Sequence, residues 1–255
     1  MKILSIPKED LQQIIKVFLR QNGLFIFFVF TLYFDGTHFA ENYFNIQIVF
    51  NILALLCFLV MFYRASKKIR EFMIYAVIIG FFGEHLFSII LEMYTYRLQN
   101  VPFYVPLGHA VLYARVLRFS KASIIRKHDN AIEQFLVVLI AIFATVYLMF
   151  FGDIFGIVMT IGVFLLLWKR PKDRLFFYTM YIIVAILEIG GTAFAAWKWP
   201  PIAFGVFEFL PSHNPPSGIS LFYFLLDISC FLCYILLNRN AWKRFQNIKS
   251  INQKI

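Results

Sequence analysis

Charge is scarce in this chain. Only 15% of its 255 residues are Asp, Glu, Lys or Arg, against about a quarter in a soluble domain, so there is too little charge to cover a water-facing surface. Cysteine is rarer still. Cys57, Cys230 and Cys233 all fall inside apolar runs, where a thiol acts as a small packing residue. The Cys230-x-x-Cys233 spacing is also a redox or metal pattern, and disulfides are not expected. Whole signatures are missing too. There is no glycine-rich phosphate loop and no Gly-x-Ser-x-Gly elbow. The paired Glu-Glu and histidine motifs of membrane proteases, a mid-span lysine for retinal, and the HxxxH and HxxHH arrays of membrane di-iron enzymes are absent as well. No cofactor and no metal is implied.

What is abundant is apolar: 61% of the chain is hydrophobic and 33 residues are Phe. Apolar runs lie at roughly 22–34, 44–63, 73–94, 103–118, 133–151, 154–168, 174–197 and 218–237, and a helix needs about 20 residues to cross the hydrocarbon. The runs are continuous rather than alternating, which points to helices and not a barrel. The expected fold is all-α, a polytopic membrane bundle of about eight spans. The first and sixth runs are short, so seven spans with an interfacial or re-entrant piece is the alternative. Residues 1–128 form one four-span half with an N-terminal cytoplasmic segment, and 129–255 a second with a basic tail, within one integrated membrane domain. An even number of spans per half makes the repeat parallel.

The formal net charge of +10 is not spread evenly. Lys and Arg crowd the segment before residue 22, the stretches 64–70, 115–127 and 169–174, and the tail with Lys243, Arg244, Lys249 and Lys254, whereas the alternate loops hold only Arg97 and Lys198. That alternation is the positive-inside pattern. It places both termini in the cytoplasm and the protein in a cell membrane such as a bacterial inner membrane. It also makes anionic lipids, not nucleic acid, the partner of the basic face. The early run lacks a small-residue cleavage site and reads as a span rather than a signal. The preceding IPKEDLQQIIKVFLRQ has the pattern of an amphipathic surface helix.

Two segments look like copies. GEHLFSIILEMYTYRLQNVPFYVPLGHAVLY (83–113) and EIGGTAFAAWKWPPIAFGVFEFLPSHNPPSGISLFY (188–223) each carry an acid in an apolar stretch, an aromatic pair, a proline loop and Pro-x-Gly. Pro106, Gly108 and Tyr113 align with Pro216, Gly218 and Tyr223 without a gap. Ionisable residues inside spans are costly and mark polar interiors or functional sites. Helical spacing puts Glu84, Ser88 and Glu92 on one face, His109 above Tyr113, Glu188 with Thr192, Ala195 and Trp199, and Tyr223 with Asp227. The expected pocket opens outward, with Glu84, His85, Glu188 and Asp227 at its floor and His109 higher. A carboxyl group in such a place keeps its proton and serves as an acid; simple hydrogen bonding between helices is the plainer role. The substrate-lining set is Glu92, Tyr94, Tyr96, Tyr113, Thr192, Trp197, Trp199, Asn214 and Tyr223. Tyr94, Tyr96, Trp197 and Trp199 also suit an interfacial aromatic belt, and Asn214 with His213 suits a turn.

The acid in a span followed by Tyr94-x-Tyr96, Val101-Pro102, Pro106-Leu107 and a second copy with Trp197 and Trp199 resembles the carotenoid hydratases of the bacterioruberin pathway. His109 stands near a position where that family tends to have Trp, and NPPSG departs from its second loop. The resemblance implies a membrane enzyme acting on a carotenoid. From the residues, the leading expectation is an enzyme that protonates a C=C bond of an isoprenoid, carotenoid or other lipid. In it Glu84 or Asp227 supplies the proton, Glu188 orients water or a neighbouring acid, and aromatic faces stabilise the cation. Hydration, cyclisation and isomerisation are the outcomes open to it. A transporter or lipid-binding protein with a mid-membrane polar site and an accessory membrane subunit are the alternatives.

Overall fold

A computed structural model describes residues 6–239; Lys243, Arg244, Lys249 and Lys254 of the basic tail lie outside them. The described chain is helical. Its helices are α1 (Lys8–Asn22), α2 (Phe25–Asp35), α3 (Thr37–Asn42), α4 (Gln47–Tyr63), α5 (Lys67–His85), α6 (Tyr104–Ser120), α7 (Ser123–Lys127), α8 (Asp129–Phe151), α9 (Ile154–Trp168), α10 (Arg174–Ala193) and α11 (Ser220–Leu237). Four short strands lie in the loops: β1 (Thr95–Tyr96), β2 (Trp197–Lys198), β3 (Ile202–Ala203) and β4 (Phe207–Pro211).

Each expected apolar run overlaps one of α2, α4, α5, α6, α8, α9, α10 and α11. Four helices, at 67–90, 129–151, 174–193 and 220–237, are long and apolar enough to cross a membrane. A fifth span arises if α1 and α2, bent by 46° between Asn22 and Phe25, count as one. The helices α4 and α9 are apolar but shorter than the roughly 20 residues a straight crossing requires.

At the centre, α5, α6, α10 and α11 pack in a ring, α5 on α6 and α11, and α10 on the same two. Outside it α4 lies on α6, α9 on α11, and α8 on α9 and α10. The helix α6 is buried along nearly its whole length, whereas α8 turns Met149 and Phe150 outward, each about three-quarters exposed (75% and 76%). Apolar side chains so exposed suit a lipid-facing surface.

The α4–α5 and α9–α10 junctions use the same local device. Arg70, at the start of α5, donates to the carbonyls of Phe62, Tyr63 and Ala65 at the end of α4. Arg174, at the start of α10, donates to those of Leu167 and Trp168 at the end of α9. Helix C-termini leave carbonyls without partners, and a guanidinium fork satisfies several at once. Between α8 and α9, Gly152 (φ 65°) ends one helix in the left-handed conformation and Asp153 caps the next by accepting from Gly156 N–H.

Two runs end earlier than hydropathy indicates. The 73–94 run leaves the α-helix at His85 and finishes as a π-helical turn, Leu86–Ile90. Glu92 follows with φ 47°. The 174–197 run ends at Ala193, followed by Ala195 with φ 54°. At both places a left-handed residue turns the chain out of the helix. The expected alignments of Glu92 with Glu84, and of Ala195 and Trp199 with Glu188, along one helical face are therefore corrected.

Candidate functional site

The reversal pairs β1 with β2 antiparallel, Thr95 opposite Lys198 and Tyr96 opposite Trp197. Side chains alternate along a strand, so Thr95 and Lys198 are exposed while Tyr94, Tyr96, Trp197 and Trp199 all point inward and are buried. This is why the middle residue of each aromatic triplet is polar. The Tyr94 and Trp199 rings lie 4.5 Å apart, and Tyr96 meets Trp197 edge-on at 5.8 Å.

Each aromatic pair is bound to one buried acid. Glu84 Oε2 accepts from Tyr94 OH and, at 2.7 Å, from Tyr96 OH. Glu188 Oε2 accepts from Trp197 Nε1–H at 2.8 Å and Trp199 Nε1–H at 3.1 Å, while its Oε1 accepts from Tyr223 OH at 2.8 Å. Burial, and then the charge of Glu84, push the Tyr94 and Tyr96 phenols well above their ordinary range, so both remain donors. The indole of Trp197 reaches Glu188 because Gly191 leaves room: a Cβ there meets the indole ring at 2.1 Å. Gly191→Ala is therefore expected to displace Trp197 and cost about 1–3 kcal/mol, read as a lower Tm and a shifted tryptophan emission in detergent; an unchanged spectrum and Tm contradict this packing.

A cavity of about 60 Å³ adjoins Glu188, several times the roughly 10–15 Å³ that holds one water. Its wall is mainly apolar, from Phe28, Leu32, Leu112, Met180 and Val184, with His109, Glu188, Trp197 and Tyr223 as its polar edge. The His109 ring stacks on Tyr223 with centroids 5.8 Å apart. Behind it, His109 Nε2 is 3.0 Å from Asp227 Oδ1. That is an ion-pair distance without hydrogen-bond alignment, and among the described residues neither oxygen of Asp227 has a hydrogen-bond partner.

The expected single floor is thus divided. His109 and Glu188 line this cavity, Glu84 lines a smaller one beside Tyr94 and Trp199, and Asp227 with Tyr113 lines a third toward the basic end. Of the other expected residues, His85 is turned to its own helix, with Nδ1 2.8 Å from the Phe81 carbonyl and its ring against Phe81. Thr192 donates to the Glu188 carbonyl, Asn214 accepts from Trp199 N–H, and Glu92 is exposed in a turn. None of these four lines the cavity beside Glu188. Among the described residues no three His, Cys, Asp or Glu side chains cluster as for a metal.

Two buried acids escaped the sequence reading. Asp35, at the end of α2, pairs with Arg97 at 2.7 Å and accepts from Tyr104 OH and Gln47. The signal was Arg97, one of only two Lys or Arg residues in the alternate loops, which implied an acid nearby. Asp153 accepts from the backbone N–H groups of His213 and Ser217, tying the NPPSG loop to the start of α9; its Gly-Asp turn was the available cue. The loop between α10 and α11 carries the antiparallel β3–β4 hairpin.

The chain matches no known family model, no curated protein and no solved structure.

Proposed function

We propose that this protein is a membrane-embedded enzyme that protonates a C=C bond of an isoprenoid or another apolar lipid in the cavity between α2, α6, α10 and α11. The observation that carries the reading is the pairing, on one edge of an apolar cavity, of an imidazole backed by a buried carboxylate with a second carboxylate held by three donors. His109 is the acid, and Asp227 stabilises its protonated form. Glu188, fixed by Trp197, Trp199 and Tyr223, is the counter-ion, and this division of roles replaces direct donation from Glu84 or Asp227.

In the reaction the His109 proton and the π pair of the alkene form a new C–H bond, leaving the adjacent carbon cationic. Glu188 and the ring faces of Trp197 and Tyr223 oppose that charge. The cation is discharged by water that then loses a proton, by loss of a neighbouring proton, or, after a second C=C bond has attacked it, by loss of a proton from the resulting cyclic cation. In each case a proton returns to His109. The resemblance to carotenoid hydratases favours hydration of a conjugated isoprenoid. The reading includes a duplicated four-helix unit with eight membrane-crossing helices and the basic ends in the cytoplasm. Its support is the matched roles of Arg70 and Arg174, of Glu84 and Glu188, and of Ser88 and Thr192, pairs separated by the same length of chain.

The test compares lipid and pigment extracts by mass spectrometry from cells making the native protein, His109→Gln, Asp227→Asn or Glu188→Gln at matched levels. A species heavier by one water, or an isomer, is expected with the native protein and to fall about 100-fold or more in the variants; identical extracts from all four overturn the proposal. A carrier is the second reading, favoured by cavities on either side of the His109–Asp227 pair. It predicts substrate uptake into vesicles with no change in substrate mass.

A further inference from the structure

The basic loops do more than mark one side. Lys68 at the start of α5, Lys121 and Arg126 at the end of α6 and in α7, and Arg170 and Lys172 between α9 and α10 meet around one cavity of about 170 Å³. A single carboxylate, Asp173, stands among them at the mouth. Among the described residues none of the five cations forms an ion pair or a side-chain hydrogen bond, and Lys68 touches only the face of Tyr234, at 5.2 Å. Burial, with the neighbouring charges of Lys68 and Arg126, holds the Lys121 ammonium below its usual range. Like charges brought together without an anion repel one another, and a bound anion removes that cost.

Further in, the cavity changes character. Its walls are Phe72, Leu117, Phe176, Phe177 and Ile228, and its inner end is Tyr113 with Asp227. A purely ionic ligand has no use for aromatic walls, and a purely apolar one none for five cations. We infer that this cavity is a binding site for a phosphomonoester or diphosphate head carried on an apolar chain, with the head among Lys68, Lys121, Arg126, Arg170 and Lys172 and the start of the chain against Phe72, Phe176 and Phe177. It differs from the general attraction of basic segments to anionic lipid in being one cavity at which three separate segments converge. It is also separate from the cavity at Glu188 and does not depend on proton transfer there.

The experiment uses the whole chain purified in dodecyl maltoside, with binding followed by thermal shift and by tryptophan fluorescence. The probes are dodecyl phosphate, dodecanol and inorganic phosphate. Dodecyl phosphate is expected to bind at least tenfold more tightly than either of the others. The Lys121→Gln/Arg170→Gln double variant is expected to weaken it tenfold or more, whereas Lys16→Gln/Arg64→Gln, which loses the same charge outside the cavity, leaves it within twofold. Equal loss in both double variants shows non-specific attraction and overturns the site. Equal affinity for inorganic phosphate overturns the chain-bearing ligand, and equal affinity for dodecanol overturns the role of the cations. Unliganded Tm values of the two variants within a few degrees of native show that folding is not the cause.

Discussion

Glu188→Leu is expected to destabilise the protein by about 3 kcal/mol or more. Leucine is at least as bulky as glutamate, so the loss does not come from a cavity. It comes from Trp197 Nε1–H, Trp199 Nε1–H and Tyr223 OH, which all donate to this one carboxylate inside the bundle. A buried donor left without an acceptor costs about 1–3 kcal/mol, and three donors lose theirs at once. Glu188→Gln keeps one carbonyl oxygen and the shape, so it is expected to fall between Leu and native in stability while losing activity. Thermal unfolding of the three forms in detergent, followed by tryptophan emission, gives the order. A Glu188→Leu protein within about 1 kcal/mol of native shows that these contacts do not hold the aromatic hairpin.

The second large effect is expected at Asp35. Its carboxylate is 1% exposed and meets Arg97, Tyr104 and Gln47, and its backbone carbonyl also accepts from Arg97. Removing one partner of a buried ion pair leaves the other charge unpaired, which costs about 3–5 kcal/mol. Arg97 is 13% exposed on its side chain, so partial solvation puts the Asp35→Ala loss near the lower end. Arg97 follows β1 directly, so the loss should also loosen the strand pairing above Glu84 and Glu188. In a double-mutant cycle, Asp35→Ala and Arg97→Ala together are expected to cost clearly less than the sum of the two singles. Strict additivity contradicts a direct coupling.

Hydropathy located the helices well because the requirement it measures, covering about 30 Å with apolar side chains, leaves a long and redundant signal. It located their ends poorly. The turns at Glu92 and Ala195 depend on two residues in left-handed conformations that neither residue type favours, so the apolar pattern simply ran on through them. The aromatic triplets were legible as motifs but not as strands, since a two-residue strand leaves no periodicity to read. Glu84, Glu188, His109, Tyr223 and Asp227 stood out as polar residues in apolar helices, which is where the cost of burial makes a sequence conspicuous. Their division among three cavities was not legible, because it depends on side-chain direction across helices distant in sequence. Asp35 and Asp153 were missed because acids at run ends look like ordinary loop residues; burial alone sets them apart.

The most direct measurement is carbon-bound deuterium in the lipid extract of cells grown in heavy water and expressing either the native protein or His109→Gln. Protonation of a C=C bond places one solvent-derived hydrogen on carbon whether the cation then takes up water, isomerises or cyclises. The account predicts a lipid or pigment species carrying one such additional deuterium with the native protein and only background labelling with His109→Gln. Identical labelling in the two strains, with the His109→Gln protein folded and present at the native level, contradicts it.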